Sequence, residues 1–173
     1  NAREVPVLEP PRWSCGDSRD LGALADGQSY DMVFSCPPYY DLEIYSDDPA
    51  DLSNMTWEDF RTAYREIIAE SCKLLSDNRF AVFVVGDVRD KRGFYRDLIG
   101  ETKRAFADCG CLLYNEIIKL DPFGTAGARA RRLFGNRKVV RVHQHVLVFY
   151  KGDPARIKQE FGEVQLPESE DDF

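Results

Sequence analysis

The residues best suited to chemistry form one run, Ser35-Cys36-Pro37-Pro38-Tyr39-Tyr40, which follows the apolar stretch Met32-Val33-Phe34 with no loop between them. Neither proline has an amide hydrogen; each fixes its own φ and holds the residue before it extended. The carbonyls of Cys36 and Pro37 are therefore stiff acceptors without a competing donor, and an aromatic face stands beside them. Such a corner suits a flat substrate that carries an amino group. An exocyclic ring amine is a poor nucleophile because its lone pair is delocalised, and acceptors that hold its hydrogens move it toward a reactive geometry. A Pro-Pro turn that merely ends a strand is the competing reading. A nucleophilic Cys36 is another, but the cysteine precedes the prolines and the flanking aromatics suit amine chemistry better.

The run resembles the catalytic tetrapeptide of the amino-methyltransferases, in which Asp, Asn or Ser is followed by Pro-Pro and then Tyr, Phe or Trp. The resemblance implies an S-adenosylmethionine-dependent DNA methyltransferase of phage or bacterial type, acting on N6 of adenine in preference to N4 of cytosine. It implies catalytic roles for Ser35, Cys36, Pro37, Pro38 and Tyr39, with Tyr39 stacking on a base extruded from the helix. The chain departs from the pattern at Cys36, since a thiol is a weak acceptor. Ser35 or the main-chain carbonyls must then carry the polar contact. Methylation of an RNA amine or a protein amide would use the same corner, and a degenerate nucleic-acid-binding module without turnover would keep it; these alternatives stay open.

Upstream, Gly16-Asp17-Ser18 is similar to the family segment whose acid accepts a hydrogen bond from the adenine amino group of the cofactor. Asp17, Ser18 and Ser35 are the implied cofactor contacts. The family's glycine-rich cofactor loop is expected upstream of Asn1. The implied partners are therefore DNA and the missing N-terminal part of the same domain, or a second chain in its place. The alternative is residues 120–127, Leu-Asp-Pro-Phe-Gly-Thr-Ala-Gly, as the glycine loop.

Hydrophobic periodicity supplies the elements that would position these residues. A buried strand precedes Cys36, and parallel sheets place ligands at the carboxyl ends of such strands. A short strand is expected at residues 12–15. Residues 41–55 are acidic and aperiodic, which predicts a mobile solvated loop. Thr56 with Asp59 three residues on predicts a capped helix with an apolar face through Phe60, Tyr64, Ile67, Ile68, Leu74 and Leu75. Strands follow at 80–85 and 112–120, with a helix at 95–109 between them that stops at Gly110, and a last strand runs from Val139 or Val146 to Tyr150. The alternation predicts an α/β fold: a Rossmann-like, doubly wound, mostly parallel sheet, the incomplete C-terminal part of a methyltransferase domain. Residues 1–152 would be that domain and 153–173 an acidic, disordered tail.

The chain has 173 residues, a net charge of −7 and 43% hydrophobic content, enough for one substantial core and no more. The acidic total argues against non-specific nucleic-acid binding. Residues 122–151 nevertheless hold seven basic residues and no acid, and Arg129, Arg131, Arg132, Arg137 and Lys138 are the candidate nucleic-acid contacts. Five cysteines without a Cys-x-x-Cys spacing suit a reducing, cytoplasmic compartment. His143 and His145 have no acid or cysteine at a metal-ligand spacing, so no metal is expected. No run is apolar enough to span a bilayer.

Overall fold

A computed structural model of the chain describes residues 11–124 and 126–164. Four strands form one sheet in the order β1-β2-β4-β3: β1 (Tyr30–Ser35), β2 (Leu75–Val85), β4 (His143–Lys151) and β3 (Leu112–Leu120). β1 is parallel to β2, β4 is antiparallel to β2, and β3 is antiparallel to β4. Three strands therefore run one way, and the reversed β4 is inserted between two of them. The α/β class expected from the sequence is the one found, with a mixed sheet.

A single-turn helix, α1 (Leu21–Leu24), precedes β1, and two longer helices close one face of the sheet. α2 (Trp57–Leu74) begins at Thr56, whose hydroxyl accepts from the Asp59 amide, and it turns Phe60, Tyr64, Ile68 and Cys72 inward. α3 (Leu98–Asp108) buries Leu98, Thr102, Ala105 and Phe106, and Gly110 follows it with φ 77°. The inward residues of β2 and β4 meet them: Phe106 stacks on Phe149 with centroids 3.9 Å apart and meets Phe83 edge-on at 4.8 Å. The helices are also tied to each other. The Tyr64 hydroxyl lies 2.9 Å from Thr102 Oγ1, and the buried Glu101 carboxylate accepts from Arg65 Nε at 2.5 Å and from Arg104 Nη2 at 3.1 Å.

On the opposite face the two outer strands, β1 and β3, are bare. Met32 and Phe34 of β1 are 55% and 65% exposed, and Ile117 of β3 is 56% exposed. The expected fully buried strand before Cys36 is thus an edge strand, with β2 as its sole neighbour and nothing among the described residues over its outer face. A doubly wound sheet carries helices on both faces. Among the described residues, α5 (Ile157–Phe161) is the helix that reaches the second one, placing Phe161 against Phe80 at 5.3 Å.

Other expectations are corrected in register or kind. Residues 12–15 form no strand, having no partner among the described residues. β2 starts five residues early, because Leu75 already pairs with Tyr30. β4 starts at His143, between the two expected positions. Residues 41–55 are held by their own bonds: Asp51 accepts from the Ser53 amide, and Asn54 Nδ2 donates to the carbonyls of Ser46 and Asp48, both at 2.8 Å. The arginine-rich segment is helical, α4 (Ala126–Phe134). Of the expected disordered tail, Asp153 caps a 3-10 turn (Pro154–Arg156) that runs into α5, anchored by Phe161 and by Glu160 near Arg79 at 3.5 Å. Residues 165–173 lie outside the described residues, as do Pro10 and Thr125.

Candidate active site

Two adjacent tyrosines leave the end of β1 in opposite directions. Tyr40 adopts φ 57°, a left-handed conformation that costs a non-glycine residue about 1 kcal/mol or more. Packing holds it there: its ring meets Trp57 at 5.2 Å and Phe60 at 5.3 Å, and the Arg96 guanidinium lies 4.9 Å from its centroid. Tyr39 is thereby turned the other way. It is half-buried and its ring lies over Gly86, where an added Cβ would sit 3.1 Å from Tyr39 Cε2. Its hydroxyl donates to the Val84 carbonyl at 3.3 Å and lies 3.7 Å from Cys36 Sγ. Burial, and then the Cys36 contact, push the phenol well above its ordinary range, so it stays a neutral donor.

Cys36, Pro37 and Tyr39 line a cavity of 280 Å³ whose other walls are Leu42, Glu43, Tyr45 and Gln144. The expected ledge thus borders a real space, with a phenol ring as one wall. Ser35 pairs with Phe83 within the sheet, and Pro38 lies outside the cavity lining. The Cys36 thiol faces the Tyr39 hydroxyl, which leaves the main-chain carbonyls as the stronger acceptors at the ledge. Tyr45 and Gln144 were not singled out in the sequence. Tyr45 stood in a segment read as solvated loop, and Gln144 carried no motif.

The Asp17 turn is built differently. Asp17 caps the turn Ser18–Asp20, and both carboxylate oxygens are taken by Arg19, with Nη2 to Oδ2 at 2.5 Å. The Arg19 hydrogen bonds hold its carboxyl below the usual range. Gly16, Asp17, Ser18 and Arg19 line a second cavity, of 380 Å³, closed on its far side by Ser46, Asp48, Asp51 and Leu52. The loop 41–55 therefore walls both cavities, a role its composition did not reveal.

A third cavity, of 450 Å³, lies on the other side of Leu42. It brings Arg129 of α4 together with Arg89, Tyr95 and Arg141. Arg131, Arg132 and Arg137 are exposed outside it, and Lys138 is partly buried beside Gly93. Asp87, just past the end of β2, spends Oδ1 on the amides of Val88 and Leu98 and so ties the start of α3 to the sheet. His145 Nδ1 lies 2.6 Å from Glu116 Oε1. Among the described residues no group of three His, Cys, Asp or Glu side chains is placed to hold a metal ion, and no helix is long and apolar enough to cross a membrane.

No protein-family model matches the sequence, and no curated protein matches it. Solved structures do share the fold. A candidate DNA modification methylase of Thermus thermophilus superposes with a TM-score of 0.56 at 19% identity, over 87% of this chain and 58% of its own. The same protein complexed with S-adenosyl-L-methionine gives 0.54 at 19% identity, over 90% and 57%. The PvuII DNA methyltransferase, cytosine-N4-specific, gives 0.52 at 14% identity, over 91% and 57%. The chain spans little more than half the length of these proteins.

Proposed function

We propose that this chain is the catalytic part of an S-adenosylmethionine-dependent methyltransferase that modifies an exocyclic amine in DNA, N6 of adenine in preference to N4 of cytosine. The observation that carries the reading is the Cys36-Pro37-Pro38-Tyr39 ledge beside its 280 Å³ cavity, at the carboxyl end of a strand. A fold shared with proteins described as DNA methylases supports it.

In this reading the amine hydrogens are held by the Cys36 and Pro37 carbonyls, and the base lies against the Tyr39 ring. The Tyr39 hydroxyl, spent on the Val84 carbonyl, fixes the ring and takes no proton. When bound, the cofactor supplies an electrophilic methyl group. The cavity beside the Asp17 turn fits it through two other acids: Asp17 has its lone pairs engaged by Arg19, but Asp48 and Asp51 line the same cavity and keep lone pairs for amino groups of a cationic ligand. Asp17, on release of Arg19, would hold it together with Ser18 and Ser35. Arg129, Arg131, Arg132, Arg137 and Lys138 would meet the DNA backbone.

The glycine-rich loop, and cover for the bare face of β1, would come from upstream sequence of the same domain or from a second chain. The exposed Met32 and Phe34, and the 57–58% span of the neighbours, support this. The domain would comprise residues 1–152.

Transfer of a tritiated methyl group from S-adenosylmethionine to unmodified DNA, RNA and protein by the full-length protein tests the reading. Label recovered as N6-methyladenine or N4-methylcytosine is expected. Label confined to RNA or protein would redirect the assignment, and no transfer at all would favour a binding module.

A further inference from the structure

Arg12, Arg19, Arg61, Arg65, Arg79, Arg104 and Arg156 all stand within salt-bridge distance of an acid, whereas among the described residues the dispersed Arg92, Arg96, Arg131, Arg132 and Arg137 do not. Nor do the three that line the 450 Å³ cleft. Arg141 donates to the Asp87 carbonyl, Arg89 Nη1 donates to the Gly93 carbonyl at 2.7 Å, and Arg129 has no hydrogen bond or ion pair among the described residues. Of the two acids in the cleft, Asp87 has one oxygen committed to backbone amides, and Asp41 is exposed to solvent. Tyr95, half exposed, carries the Arg89 guanidinium 3.7 Å over its ring, which makes a stiff planar wall.

The cleft adjoins the ledge. Leu42 lines both cavities, and a Cβ on Gly86 would touch Tyr39 on one side and Arg141 Nη2, at 3.3 Å, on the other. Guanidinium groups without carboxylate partners are suited to bidentate binding of phosphate oxygens. We infer that Arg89, Arg129 and Arg141 form a subsite for a phosphodiester of the nucleic-acid strand, next to the nucleotide whose base enters the ledge. The inference rests on the proposed nucleic-acid substrate but not on methyl transfer. It is specific to this cleft, whereas Arg131, Arg132 and Arg137 lie outside it.

The test is fluorescence anisotropy of a labelled DNA of about 20 nucleotides on the full-length protein between about 50 and 200 mM NaCl. Arg129→Ala and Arg89→Ala are compared with Arg92→Ala, which removes an equal charge outside the cleft. Each cleft variant is expected to lower the slope of log affinity against log salt by about 0.9, with binding weakened about tenfold at low salt, while Arg92→Ala leaves the slope unchanged. Arg129→Lys, which keeps the charge, restores the slope if the loss is electrostatic, and near-ultraviolet circular dichroism reports the fold of each variant. Equal slopes for Arg92→Ala and the cleft variants, or no DNA binding by the wild type, overturn the inference. A wild type that binds with the cleft-dependent slope but transfers no methyl group leaves the inference standing and removes the enzymatic reading.

Discussion

The ledge at residues 36–40 and the turn at residues 16–19 would serve two halves of one reaction, yet they are anchored in different ways. The ledge is over-determined by the closed half of the molecule. Tyr40 is driven into a left-handed conformation by Trp57, Phe60 and Arg96, and that kink aims Tyr39 across Gly86 toward the cavity. The hydrogen bonds of the Asp17 turn are local, an acid capping its own turn and paired with the arginine two residues on. The turn lies against α2, whose Ile67 lines the same cavity, rather than within the core. The ledge is pre-organised before anything binds, whereas the Asp17 turn keeps its shape through bonds within itself.

The largest expected effect comes from removing what organises the ledge. Tyr40→Ala deletes a buried ring and should lower stability by about 3–5 kcal/mol in urea unfolding; a loss below about 1 kcal/mol would mean that the kink is not held by packing. Next is the ion cluster joining the helices beneath. Burial alone would raise the Glu101 pKa, but the Arg65 and Arg104 hydrogen bonds, with Arg61 beyond, outweigh it and hold the group below its ordinary 4.5. Because the folded value is depressed, this contribution is fully present above about pH 4.5 and is lost as pH falls through the folded value. Glu101→Gln should cost about 2 kcal/mol at about pH 7 and flatten the acid limb of a stability–pH curve. A curve unchanged in shape would remove this cluster from the account. Smallest is Asp17→Ala, which loses a cap on an exposed turn and should cost about 1 kcal/mol or less. A larger loss would mean the turn is anchored as firmly as the ledge.

Calorimetry sharpens the contrast from the ligand side. The isolated 173 residues are expected to bind S-adenosylmethionine poorly. Tight binding would promote residues 120–127 as the cofactor loop.

What the sequence revealed follows the range of the interactions involved. α2, α3 and β3 were readable because caps, stop signals and periodicity are local: Thr56 with Asp59, Gly110, and the apolar stripe through Leu98, Ala105 and Phe106. The ledge was readable because proline geometry is local too. The exposure of Met32 and Phe34 was not, since burial depends on what lies over a strand, and the composition of an uncovered edge strand looks the same as that of a central one. Tyr40 could not be told from Tyr39 for a similar reason: its conformation is set by Trp57 and Arg96, which are 17 and 56 residues away in the chain. The helix at α4 was obscured by glycines at positions 124 and 127, residues that favour turns. The cleft was missed because its arginines come from three separate segments.

The central claim is that the Tyr39 ring, and not its hydroxyl, receives the methyl-acceptor group. Single-turnover methyl transfer to DNA by Tyr39→Ala and Tyr39→Phe tests it most directly. Loss of stacking should slow the alanine variant by on the order of 10–100-fold, while phenylalanine stays within a few-fold of wild type. Equal rates for wild type and Tyr39→Ala would contradict the account.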